Sequence, residues 1–154
     1  MTTVDGIAEL MVALGPLDAE IDTITRDGET EWSVAFDEET VVSLSFVEEQ
    51  QKLVLASTLA TPPTEQRLAA YETLLCYNLL WAETGGVRMA LGGAHGAVVQ
   101  LFDLATAGLD VARLDAVLVN FAVKAKSWRG AILSGAFATA PGLAEQRAEF
   151  MIRV

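Results

Sequence analysis

The chain has 154 residues, 52% of them apolar and 20% charged, with 21 acidic against 10 basic groups and a net charge of −11. A chain of this size buries roughly 70% of the surface it exposes when unfolded, and its apolar content excludes a disordered segment. The acidic field opposes phosphate backbones and anionic lipid, so no nucleic acid and no membrane surface is expected as a partner.

The opening MTTVDGIAEL has neither the basic nor the apolar segment of a secretory leader. No run of about 18 apolar residues offers a membrane span. The single cysteine, Cys76, cannot form an internal disulfide and sits in an apolar stretch, where a thiol acts as a small hydrophobe. A cytoplasmic protein of one domain over 1–154 is expected, with its core at about 3–130.

Residues 3–14 carry Val4, Ile7, Leu10, Met11 and Leu14 at helical spacing, and Gly15-Pro16 is expected to end that helix. In 17–30, Ile21 and Ile24 suit an extended segment and Asp27-Gly28 a turn, without a clear strand pattern. Three strands follow at Glu31–Phe36, Thr40–Val47 and Lys52–Leu59, marked by alternation of Trp32, Val34 and Phe36, then Val42, Leu44 and Phe46, then Leu53 and Leu55 against Val54 and Ala56. The short acidic links between them fit hairpin turns.

Pro62-Pro63 breaks the chain, and Thr64 is placed to cap a helix running to about Glu83, ended by Gly85-Gly86. Strands at Val87–Leu91 and Ala97–Leu104 flank a turn of Gly92 to Gly96. Asp110 caps a long helix to about Trp128, with Val111, Leu114, Leu118, Phe121, Ala125 and Trp128 as its apolar stripe. Beyond Gly130 the chain is rich in Ala and Gly, with Pro141 and a short helix at Leu143–Phe150. The order α-βββ-α-ββ-α, with a short C-terminal helix, predicts an α+β sandwich: one antiparallel, twisted sheet with helices packed on it.

The helix after Pro63 is apolar nearly all round. Leu68, Tyr71, Leu75, Leu79 and Ala82 share one face, Leu74, Tyr77 and Trp81 another, and Leu80 widens the band. A helix covered on one side only shows polar residues opposite. This one needs a second cover, either the C-terminal helix or a second copy of the chain. A second copy is the preferred reading, because two-fold dimers are the commonest assemblies and Tyr and Trp favour interface cores. Leu74, Tyr77, Asn78, Leu80 and Trp81 are the expected dimer residues.

No constellation for chemistry emerges. One His (His95, in the Gly-rich turn) and one Cys about twenty residues apart make no metal cluster. GGAHG lacks the Lys and the following helix of a phosphate-binding loop. The acids lie in turns, and no serine stands in a nucleophile motif. A binding protein without catalysis, cofactor or metal is expected. An enzyme or ligand-binding domain would need a pocket, for instance around Arg88, Gln100 and Asp103.

The stretch Leu74–Leu91, LLCYNLLWAETGGVRMAL, with the Gly turn and Val98–Leu104 after it, resembles the class I type III secretion chaperones of the Tir-chaperone (CesT) family. The matching residues are Leu74, Leu75, Tyr77, Asn78 and Leu79, then Leu109-Asp110 and Trp128-Arg129; the resemblance spans roughly 3–130. It implies a homodimer formed through the second helix, with an extended segment near the N-terminus of a secreted effector wrapped around it. Strand addition at a sheet edge and shallow apolar pockets suit such a partner. The effector-binding candidates are Leu10, Trp32, Val34, Phe36 and Val54. Without an ATP site, release would fall to another component, such as the secretion ATPase. The alternative is a regulatory or structural dimer of the same fold that carries no secretion cargo.

Overall fold

The computed structural model describes residues 1–92, 94–137 and 144–153. Helix α1 (Val4–Leu17) leads into strands β1 (Thr23–Arg26), β2 (Glu31–Ala35), β3 (Val41–Val47) and β4 (Lys52–Thr58). Helix α2 (Arg67–Leu79), strands β5 (Arg88–Leu91) and β6 (Val98–Ala105), and helices α3 (Val111–Leu133) and α4 (Ala144–Arg153) complete the order. The strands form one antiparallel sheet in the order β1-β2-β3-β4-β6-β5. This is the α+β arrangement that the sequence pattern predicts, with one strand more.

The added strand is β1, whose residues pair with β2 from Thr23 opposite Ala35 to Arg26 opposite Trp32. Its weak alternation follows from its place at the sheet edge, where Thr23, Thr25 and Arg26 face solvent. Helix α1 does not stop at Gly15-Pro16. The proline falls in the last turn, where the backbone donor it lacks costs one hydrogen bond, and the Asp18 N–H closes the helix on the Leu14 carbonyl at 3.2 Å. At the other end the Thr3 hydroxyl accepts from the Gly6 N–H.

Helix α2 is shorter than its apolar run. A 3-10 turn at Thr64–Gln66 precedes it, and it ends at Leu79, short of Glu83. The chain then turns through Gly85 and Gly86 at φ of 67° and 93°, and the Thr84 hydroxyl bonds the Val87 carbonyl at 3.0 Å. Helix α3 outlasts Trp128 by more than a turn, and its cap is the expected one: the Asp110 carboxylate accepts from the Arg113 N–H at 2.8 Å. The C-terminal helix α4 starts at Ala144; Pro141 and Leu143 lie outside the described residues.

The chain forms two compact units, each from two stretches of sequence. In the first (Met1–Ser57 and Asp103–Val123), Ile7, Met11 and Leu14 of α1 join the inward residues of β2, β3 and β4 and Leu114, Leu118 and Phe121 of α3 in a buried core. Gln51, at a φ of 49°, ends the turn after β3. Its side-chain amide holds Thr2 through two hydrogen bonds (2.7 and 3.0 Å), and its carbonyl accepts from the Thr106 N–H at 3.0 Å.

In the second (Thr58–Phe102 and Lys124–Val154), α2 lays Ala70, Leu74 and Tyr77 against Trp128, Ile132, Phe137, Ala148 and Met151. Tyr77 meets Trp128 edge to face with ring centroids 4.9 Å apart, and Phe137 stacks on Trp128 at 6.3 Å. Burial pushes the Tyr77 phenol above its ordinary pKa, partly offset by the Trp128 side chain, so the ring stays neutral at working pH. Trp128→Ala is expected to cost about 3–5 kcal/mol, the range for emptying a large aromatic site, read as a lower urea midpoint with an unchanged slope.

Candidate binding surfaces

The first surface is a groove in the first unit, with a volume of about 430 Å³. Ala8, Met11, Val12 and Gly15 of α1 form one wall, Ile21 to Ile24 and Arg26 the other, and Trp32 the floor. The helix supplies the wall because its apolar stripe is wider than the core needs: Ile7, Met11 and Leu14 are buried, while Val12 stays exposed. Arg26 stands over the Trp32 ring at 5.4 Å, and its guanidinium donates to the Gly28 and Glu29 carbonyls at 3.1 and 2.7 Å. That fixes the cation against the indole face. Beside the groove, β1 is an edge strand with β2 as its single neighbour, so its outer backbone groups can accept another strand.

Of the five residues expected at an effector surface, Trp32 alone lines this groove. Val34 is wholly buried in the core on the same side of β2 as Trp32 and presents no surface. Its alternation marks core. Leu10, Phe36 and Val54 are half-buried and lie outside the groove lining. Ile21, Ile24 and Arg26 were not anticipated. The pairing of Arg26 with Trp32 across two strands is visible only once register is known.

The second surface is in the second unit, on the side of α2 opposite its core. Leu68, Leu75 and Leu79 stand seven and four residues apart, which puts them on one stripe. Each of them, and Trp81 just past the helix, is at least 70% exposed. Leu91 at the end of β5 adds to the apolar area. Between α2 and β5 lies a cleft of about 170 Å³, lined by Tyr71, Leu74, Leu75, Asn78, Met89, Ala90 and Leu91.

The structure therefore reverses the two faces of α2. Leu74 and Tyr77, expected to meet a second copy, face inward onto Trp128 and α4, while Leu75 and Leu79 face outward. A helical wheel separates two apolar faces without ranking them. The C-terminal helix, the other cover considered for α2, takes the Leu74 and Tyr77 side. Leu80 is half-buried, and because α2 ends at Leu79, Trp81 leaves the wheel and lies exposed in the turn that follows.

Asn78 bridges the two strips. Its amide donates to the Met89 carbonyl and accepts from the Met89 N–H, both at 2.8 Å, pinning edge strand β5 to α2. Tyr71 supplies a second anchor by donating to the Gly96 carbonyl at 2.8 Å, so close that a Cβ at Gly96 would collide with the hydroxyl.

Elsewhere the expected residues are dispersed. His95 is exposed in its turn, at a φ of 78°, and Cys76 is half-buried against the core. Of the residues considered for a ligand pocket, Arg88 is exposed, Gln100 is buried, and Asp103 holds Lys52 at 2.8 Å. Among the described residues no group of three His, Cys, Asp or Glu is placed to hold a metal ion, and no helix is long and apolar enough to cross a membrane.

The sequence profile of the Tir chaperone protein (CesT) family matches residues 17–129, most of the chain, and the chain belongs to that family. Solved structures share the fold, among them the three that follow. The ExsC–ExsE complex matches at a TM-score of 0.71 with 19% identity, over 86% of this chain and 97% of that one. The HopA1–SchA chaperone–effector complex matches at 0.63 with 18% identity, over 80% and 92%. The Yersinia pestis type III secretion chaperone SycH, in complex with a stable fragment of YscM2, matches at 0.59 with 22% identity, over 82% and 99%. No curated protein matches the sequence at a significant level.

Asn78→Ala should remove both Met89 bonds and leave partly buried backbone groups unmatched, at about 2 kcal/mol or more. Faster amide hydrogen exchange across β5 than in β3 would locate the loss.

Proposed function

We propose that this protein is a type III secretion chaperone that acts as a homodimer and holds an extended, apolar segment of a secreted effector, without catalysing a reaction. Membership of a chaperone family supports the class. The observation that carries the mode of binding is the apolar groove between α1 and β1, floored by Trp32 and flanked by an unpaired strand edge. An extended peptide can add to β1 through its backbone and lower an apolar side chain into the groove, burying it without folding the cargo. Seating one such side chain contributes about 1.5–3 kcal/mol, so several along a segment give a firm but reversible grip.

The partner for the outward stripe of α2 is a second copy of the chain. Leu68, Leu75, Leu79 and Trp81 make a contiguous apolar strip of the kind that obligate interfaces bury. The cleft beside Leu75 can receive a side chain from across the interface. In this reading the protein works in the bacterial cytoplasm, and release of the cargo is the task of the secretion ATPase.

Co-purification of the tagged chain from its native cells, followed by light scattering, tests the whole reading. Two copies of the chain per secreted protein, bound near that protein's N-terminus, are expected. A bare monomer from cells expressing their secretion substrates would overturn it. Two variants separate the surfaces. Leu79→Arg should yield a monomer, since it sets a charge in the centre of the strip. Val12→Asp should leave the dimer and its melting temperature intact while weakening cargo binding about tenfold or more, the equivalent of one lost apolar side chain.

A further inference from the structure

The part of the chain that builds the groove also carries most of its negative charge. Residues 1–31 hold eight acids against one base, Arg26, a net −7 out of the chain's −11 in about a fifth of its length. Asp22 lines the groove on the strand side. On the helix side, Asp5 and Glu9 stand seven and three residues before Val12, so both flank it along α1. All three acids are exposed, and no cation of the described residues pairs with them. Arg26 does not neutralise this rim. Its guanidinium is laid over the Trp32 ring and bonded to two backbone carbonyls, with Asp27, Glu29 and Glu31 beside it in the hairpin. The lining between the acids is apolar, with Met11, Val12, Ile21 and Ile24 around Trp32.

We infer that the groove selects extended segments in which the apolar anchor is flanked, two residues away on the same face, by lysine or arginine. The inference rests on the cargo-holding function proposed above and names the chemistry of the segment held.

The spacing follows from strand geometry. In a chain added to β1, side chains two residues apart share a face and stand about 7 Å apart. With the anchor in the groove, its same-face neighbours lie to either side, towards the acids. Lysine and arginine can lay their apolar stems along the groove walls and leave their charged heads at the carboxylates. A segment with acidic flanks meets like charges there, which slows encounter and disfavours that register. Each pair is exposed and screened, so its separate effect is small. The rim acts through several charges of one sign placed together.

Labelled peptides of the repeat Leu-Thr-X-Thr, with X as Lys, Gln or Glu, test this by fluorescence anisotropy. The Lys peptide should bind about tenfold or more tighter than the Glu peptide, with the Gln peptide between them. That ratio should fall as salt rises from about 0.05 M to about 0.5 M. The bulk charge of the chain would favour Lys anywhere on its surface, so two triple variants of equal net charge locate the effect. Asp5→Asn/Glu9→Gln/Asp22→Asn should bring the ratio down to about threefold or less. Glu49→Gln/Glu83→Gln/Glu145→Gln, which neutralises exposed acids elsewhere, should leave it near the wild-type value. Val12→Asn should weaken all three peptides. Equal affinities, a ratio indifferent to salt, or the same effect from both triple variants would overturn the charge selection and leave the groove as a site for apolar side chains. Binding indifferent to Val12→Asn, or no binding of any peptide, would overturn the groove itself and the inference with it.

Discussion

The edge-to-face contact of Tyr77 with Trp128 decides which side of α2 is inside. Both rings are almost wholly buried, and Phe137, Ala148 and Met151 close around them. Once that side is filled, the helix cannot turn to bury its other stripe, and Leu68, Leu75 and Leu79 are left facing water. The exposed stripe is thus a consequence of a core satisfied elsewhere. It needs a cover that the described part of this chain does not provide, which is the role proposed above for a second copy.

A similar logic shapes the groove. Trp32 is large enough to serve two purposes: one part packs among the inward residues of the sheet, and its ring also floors the space beside α1. Arg26 keeps that ring in place from the neighbouring strand, held in turn by two backbone carbonyls of the β1–β2 turn. The groove is therefore a standing feature of the fold, built from a rigid aromatic floor and a helical wall. Its shape depends on how α1 is held at its last turn.

The sequence shows the middle of the molecule plainly. Trp32 and Val34, Val42 to Phe46, and Leu53 with Leu55 alternate because one sheet face is buried and the other is not, and that period survives in the composition. Helix α3 is equally legible, with Asp110 as its cap and Leu114, Leu118 and Phe121 inward. What the pattern hides is decided by tertiary contact. Strand β1 lies at an edge and has little need to alternate. Helix α2 carries leucine on both sides, so that hydrophobicity cannot tell Leu74 from Leu75. The groove joins residues 8–15, 21–26 and 32 through strand pairing, and the one local hint is Val12, an apolar residue off the core stripe of α1. Asn78, which stands out in the sequence as the polar member of an apolar run, proves to be the tie between α2 and β5.

Strand β1 has a cost that follows from its position. An unpaired edge next to an apolar groove offers itself to any extended chain, including another copy of this protein, and open edges of that kind seed aggregation. Two features of the chain limit the hazard. The strand is only four residues long, too short to template a lasting sheet; it ends in Arg26 and is bracketed by Asp22 and Asp27. The net charge of −11 keeps like copies apart at a distance where an uncharged or basic segment would still approach. Selectivity against edge-to-edge aggregation thus arises from electrostatic repulsion and a truncated edge, and the stickiness of this edge is confined to a short stretch of surface.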